Sequence, residues 1–138
     1  MNESIDRALL EAKTIAVVGL DSRTFRTSHQ IATYLQGAGY RIIPVWFQQE
    51  AEEVLGEKAY ARVQDIPHPV DLVDVFVRSE QTDRVIDDAI AAGAPAIWLQ
   101  SGITNDEGLQ RAREAGLLTT QDRCTMVEHR KLTRTGAE

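Results

Sequence analysis

With a single cysteine, Cys124, the chain cannot staple itself with an internal disulfide. One cysteine and three histidines also offer no ligand-spaced cluster for a structural zinc. No apolar run approaches the length of a membrane span, and the first residues lack the basic and apolar regions of a signal peptide. A reducing cytoplasm is therefore the expected home. Excess positive charge is missing too. The net charge of −6 argues against nucleic acid as the main partner, because binding a phosphate backbone needs a basic face. Small anions remain open, since a few local cations and backbone N–H groups suffice to hold them. At 138 residues the chain can bury a real core without metals or disulfides, and one domain spanning 1–138 is expected.

What is present alternates between two periodicities. Ser4 to Ala12 reads as a short amphipathic helix, with Ile5, Leu9 and Ala12 on one side. Thr14 to Leu20 is apolar and β-branched, a buried first strand. Thr27 and Gln30 fit a capping box ahead of the stripe Ile31, Tyr34, Leu35, Ala38, and Gly39 stops that helix. Tyr40 to Val45 is a second strand, shortened or placed near an edge by Pro44. Residues 46–69 are irregular, with a turn around Glu53 to Gly56. Val70 to Val77 reads as a third strand, Ser79 to Ala92 as a helix, and Pro95 to Gln100 as a fourth strand. Asn105 caps a helix that runs to Ala115, Leu117 to Thr120 is a last short strand, and Val127 to Leu132 is helical. The tail from Thr133 is expected to be mobile. Strand–helix alternation of this kind predicts an α/β fold: a doubly wound, mainly parallel sheet covered on both faces.

In a parallel sheet the turns that follow the strands share one rim, where such folds bind ligands. Here those turns bring Asp21, Ser22, Arg23, Arg26, Thr27 and Ser28; Trp46 and Phe47; Arg78 and Ser79; Gln100 and Ser101; Arg123 and Cys124. Four arginines, several hydroxyls and an indole would meet there, with helix starts at Thr27 and Ser79 aiming N–H groups at the same place. Each helix end favours an anion by about 0.3–1 kcal/mol, and arginine adds bidentate phosphate recognition. The implied ligand is anionic, with several phosphates.

Gly19 alone is no dinucleotide fingerprint. G-x-G-x-x-G is absent, and no acidic residue ends the second strand to hold an NAD ribose; Val45-Trp46-Phe47 stands there instead. Trp46 either stacks an adenine or covers the sheet end. Asp74 lies in a strand predicted to be buried, where a carboxylate needs partners, and pairing to an arginine or a helix N-terminus is expected. Cys124 is a small buried residue in the bland reading and a neighbour of a thiol or thioester in the sharper one. No nucleophile, base and orienting group fall together, so a non-catalytic role is expected rather than an enzyme.

Taken together, Val17-Val18-Gly19, Ser22, Arg26, Ser28, Gly39-Tyr40-Arg41, Pro44-Val45, Leu55-Gly56-Glu57, Asp74-Val75-Phe76, Trp98-Leu99-Gln100, Gly102-Ile103 and Asp122-Arg123-Cys124 with Glu128-His129 resemble the small CoA-binding-domain proteins of bacteria and archaea. The resemblance runs from about Thr14 to Leu132. Those proteins are Rossmann-like and similar to the CoA-binding domain of the succinyl-CoA synthetase α subunit. The resemblance implies coenzyme A or an acyl-CoA as ligand. It implies that the loop of Gly19, Ser22, Arg26, Thr27 and Ser28 holds phosphates and that Trp46 lies near the adenosine. Val77, Arg78 and Gln100 would border the pantetheine or phosphates, and Cys124 the thiol end. This chain has Trp46-Phe47 where the family usually has Asn-Pro, and Val77 before Arg78 where arginine usually follows the phenylalanine. Two other roles stay open: a small NAD(P) oxidoreductase, or an interaction protein with a vestigial nucleotide site.

Overall fold

The computed structural model describes residues 2–48 and 51–136. Five parallel strands form the main sheet: β1 (Thr14–Val18), β2 (Arg41–Val45), β5 (Leu72–Val75), β6 (Ala96–Leu99) and β7 (Leu118–Thr120), in the order β2-β1-β5-β6-β7. A small antiparallel pair, β3 (Glu53–Val54) and β4 (Glu57–Lys58), lies outside it. The helices are α1 (Glu3–Glu11), α2 (Thr27–Gly37), α3 (Thr82–Ala91), α4 (Asp106–Glu114) and α5 (Thr125–Gly136). This is the expected Rossmann-like α/β fold, a single small domain.

Alternation along the strands builds two cores. Ala16, Val18, Ile43, Val73 and Val75 face one side, where they meet Val85, Ile86 and Ala89 of α3 and Leu109 and Ala112 of α4. Ile15, Val17, Ile42, Leu72 and Trp98 face the other, against Ile5 and Leu9 of α1, Ile31 and Leu35 of α2, and Met126 and Leu132 of α5. Both faces of the strands are buried, as a parallel sheet requires. Pro44 sits on the edge strand β2, where its missing N–H costs no sheet hydrogen bond. Tyr60 caps that edge: its N–H donates to the Pro44 carbonyl and its carbonyl accepts from Trp46, both at 3.0 Å.

Several local expectations are corrected. The capping box of Thr27 and Gln30 does not form. Arg26 is the N-cap residue, without a side-chain cap, and Thr27 is already helical. The third strand pairs only over Leu72–Val75; Val70 and Val77 are buried, but beyond the ladder. Ser79–Gln81 is a 3₁₀ turn that leads into α3, rather than α-helix from Ser79. At the C-terminus α5 continues past Leu132 to Gly136, with the Thr133 hydroxyl donating to the His129 carbonyl at 2.8 Å.

Candidate functional site

Chain order reverses in the sheet between β1 and β5: from β1 the chain goes outward to β2, then returns to the other side. In open α/β sheets the crevice at such a switch point, beyond the carboxyl ends of the strands, is where ligands bind. Here that crevice is a recess of about 310 Å³ that includes Gly19, Arg26, Trp46, Val77, Arg78 and Gln81 in its lining. It continues past Trp46 and Gln48 into a second recess beside Ser22. In the other direction it passes Val77 and Arg78 to Gly102 and Ile103. The result is one trench across the ends of β2, β1, β5 and β6.

Gly19 makes the trench possible. Its φ of +97° is left-handed, and a Cβ there would meet the backbone and Cβ of Phe76 at 3.3 Å. The loops after β1 and β5 approach closely here, and a side chain at this position would have to push Phe76 back by a few tenths of an ångström. Gly19→Ala is expected to cost about 1–2 kcal/mol from the left-handed backbone alone, read as a lower urea midpoint. An unchanged midpoint would show that the loop relaxes freely.

The sequence-derived site residues divide into two groups. Gly19, Arg26, Trp46, Val77 and Arg78 line the central recess, and Ser22 lines its extension. Thr27 is exposed at the first position of α2, just behind Arg26. Ser28 is buried and its hydroxyl donates to the Gly19 carbonyl at 3.1 Å, so it braces the loop. Gln100 is buried as well. Its amide donates to Asp74 Oδ1 at 2.6 Å and to Thr125 Oγ1 at 2.7 Å. Cys124 is half-buried ahead of α5 and packs against the core on the α1, α2 and α5 side.

The rim holds fewer available cations than the expected four. Arg123 turns away: it pairs with Asp6 at 2.8 Å and Glu128 at 2.9 Å and lies 4.8 Å over the Trp98 ring. It binds α1 and α5 to the sheet. Arg23 forms a two-pronged pair with Asp21, which holds the Asp21 carboxyl below its usual range and the guanidinium above its own. Among the described residues, Arg26 and Arg78 pair with no carboxylate. Those two guanidinium groups and the N-terminus of α2 are the features of the trench that favour anions, and the Asp21–Arg23 pair lines it beside them.

Asp74 finds neither an arginine nor a helix N–H. Its partners are neutral, Gln100 and the Thr125 hydroxyl, the latter donating at 2.9 Å. Burial without a cation pushes its pKa up to about 7, against the pull of those two hydrogen bonds. His129 meets the Tyr34 hydroxyl at 2.7 Å between Nδ1 and Oη, and burial lowers its pKa. Among the described residues no three His, Cys, Asp or Glu side chains converge on a metal-sized site. Thr33 reaches His29, but no carboxylate among the described residues orients that ring.

A family model for a CoA binding domain matches residues 13–130. The chain belongs to the CoA binding domain family. It is 42% identical over 125 residues to YneT of Bacillus subtilis, an uncharacterized protein, covering 91% of each chain. A Thermus thermophilus structure superposes with a TM-score of 0.89 at 37% identity, over 96% of this chain and 98% of that one. A dinucleotide-forming acetyl-coenzyme A synthetase from Ca. Korarchaeum cryptofilum matches at 28% identity and a TM-score of 0.68. That match takes in 78% of this chain and 25% of the synthetase. Among the described residues no helix is long and apolar enough to cross a membrane.

Three contacts in and beside the trench were invisible in the pattern. Gln48 and Gln81 line it from the irregular segment after β2 and from the turn before α3. Arg84 reaches the Phe47 ring from α3, with its guanidinium 4.6 Å from the ring centroid. No local signal links residues 47 and 84; tertiary packing brings them together.

Proposed function

We propose that the domain binds coenzyme A or an acyl-CoA in this trench without catalysing a reaction, as a carrier, a sensor or a regulatory module. One observation carries the reading. Arg26 and Arg78, neither paired with a carboxylate among the described residues, stand in one elongated crevice at the switch point of the sheet, next to the glycine that lets its walls approach. A molecule with phosphates in its middle and a long thin tail suits that shape. The phosphates would lie between Arg26, Arg78 and the first N–H groups of α2, and the tail would run past Val77 towards Ile103. Membership in a CoA binding domain family supports the same ligand. No assembled nucleophile and base is found among the described residues, which favours binding over chemistry.

Calorimetric titration with CoA, acetyl-CoA, NAD and NADP tests the reading. CoA or acetyl-CoA should bind, and NAD(P) weakly or not at all; the reverse order would overturn it. Arg26→Ala is expected to weaken CoA binding by roughly ten- to hundredfold, the loss of one charge-assisted contact of about 1.5–3 kcal/mol. Its thermal melt should stay near that of the parent protein. Arg134→Ala, at an exposed position of α5, serves as the silent control.

A further inference from the structure

The main sheet has two outer strands, β2 and β7, and they are guarded unequally. An open edge offers unpaired N–H and C=O groups to any other strand, and folds usually block it with proline, charge or a covering segment. β2 carries Pro44, and Tyr60 bonds along it. β7 reads Leu118-Thr119-Thr120, with no proline and no charge, and is protected by its shortness. The Leu118 N–H donates to the Pro95 carbonyl on the β6 side at 3.0 Å. Alternate residues of a ladder turn their backbone groups to opposite sides. Thr119 therefore points its N–H and C=O outward, and among the described residues nothing pairs with them.

Beside this edge the flank of α1 and Leu118 form a groove of about 390 Å³, in which Leu118 keeps 39% of its surface in water. Glu3, Arg7 and Glu11 line the same groove, and none of the three has an opposite charge for a partner among the described residues. The Thr120 hydroxyl donates to the Asn2 side-chain carbonyl at 3.3 Å, which fixes the start of α1 at the end of β7. From there α1 runs back along β7 towards the start of β1.

We propose that β7 is the seam of a homodimer, in which two copies join edge to edge and antiparallel about a two-fold axis at Thr119. The inference goes beyond the CoA reading and does not depend on it. At such an axis Thr119 and its copy exchange both N–H···O bonds. What selects a second copy as the partner is the order of charges on α1. A strand rises about 3.3 Å per residue and a helix about 1.5 Å, so Thr119 stands level with the first turn of α1. Rotation about the axis lays the first turns of the two α1 helices side by side and antiparallel. Arg7, inclined towards its own N-terminus, then meets Glu3 of the other copy, and the symmetric pair repeats the contact. The two Leu118 side chains are covered between the helices. On the opposite face Arg113 donates to the Thr119 hydroxyl at 3.1 Å, which keeps that side of the seam polar.

Sedimentation equilibrium of the full chain between about 1 μM and about 1 mM should show monomer and dimer in exchange, as a small interface implies. Thr119→Pro removes an N–H that the sheet itself does not use and should weaken the dimer about tenfold or more. Leu118→Lys should weaken it to a similar degree. Arg7→Glu sets like charges face to face and should leave a monomer; adding Glu3→Arg to it should restore the dimer. Thermal melts show which variants are folded, and the folded ones decide. A monomer at every concentration overturns the proposal and leaves the edge to a strand of another protein. A dimer that survives Thr119→Pro and Leu118→Lys overturns it too, because the interface then lies elsewhere. Failure of the folded Glu3→Arg, Arg7→Glu double variant to regain the dimer overturns the axis at Thr119.

Discussion

Asp74→Asn will change how stability responds to pH: between pH 4 and pH 8 the variant will gain on the parent protein by about 3–4 kcal/mol. The carboxyl is wholly buried between Gln100 and Thr125, and its pKa is raised from 3.8 to about 7. In the unfolded chain it ionises near its ordinary value. From pH 4 to 7 the folded protein therefore binds more protons than the unfolded one, and stability must fall as pH rises through that window. The contribution is fully present below the unfolded pKa and gone above the folded one. Asparagine keeps the bond from Gln100, accepted by its carbonyl, and reverses the one to Thr125, its amide donating to that hydroxyl. It cannot ionise. His129 works in the opposite direction, because its lowered pKa makes the folded state lose stability as pH drops through the imidazole range. The quantity to measure is thus the difference between the two proteins' urea unfolding free energies at several pH values. Parallel curves would mean that Asp74 stays ionised throughout, with unseen charge support.

Trp98→Ala is expected to cost about 3–5 kcal/mol, the usual penalty for emptying a buried aromatic site. A melting-temperature drop on the order of 10–20 °C would follow for a domain of this size. Trp98 is fully buried on β6 against the α1, α2 and α5 side of the core. Its indole N–H donates to the Arg123 carbonyl at 2.8 Å, and the guanidinium of Arg123 covers its ring. The alanine variant would lose the cavity filler and the anchor of the segment leading to α5. Trp98→Phe should lose less, since it keeps most of the volume and gives up chiefly the hydrogen bond. Equal losses for Phe and Ala would put the weight on that hydrogen bond rather than on packing.

Sheet and helices were legible because burial on both faces of a parallel sheet leaves continuous apolar runs, and amphipathic helices leave stripes. The runs Thr14 to Leu20, Tyr40 to Val45 and Pro95 to Gln100 were readable in this way, and they contain β1, β2 and β6 with one or two residues to spare; Asn105 does cap α4 by accepting from the Gly108 N–H at 2.8 Å. The Thr27 capping box was a false signal, because the loop needs Ser28 for the Gly19 carbonyl and lets the helix begin one residue early. The rim as a shared location also followed from chain order alone, and five of the ten residues assigned to the site line its central recess.

The chain's own order of residues thus settles that a parallel α/β sheet forms, which residues fill it and which turns share a rim. These are periodicity and connectivity, and both are written locally. Which arginines remain available could not be read, because a guanidinium on a long side chain chooses among partners supplied by distant segments. Arg123 finds Asp6 across more than a hundred residues of chain, Arg23 lines the trench paired with Asp21, and Arg26 and Arg78 line it with no carboxylate partner among the described residues. The fate of Asp74 was hidden for the same reason: its pKa depends on whether the elements that bury it bring a cation or, as here, an amide and a hydroxyl. Charge pairing and desolvation act through space, so tertiary packing alone decides them.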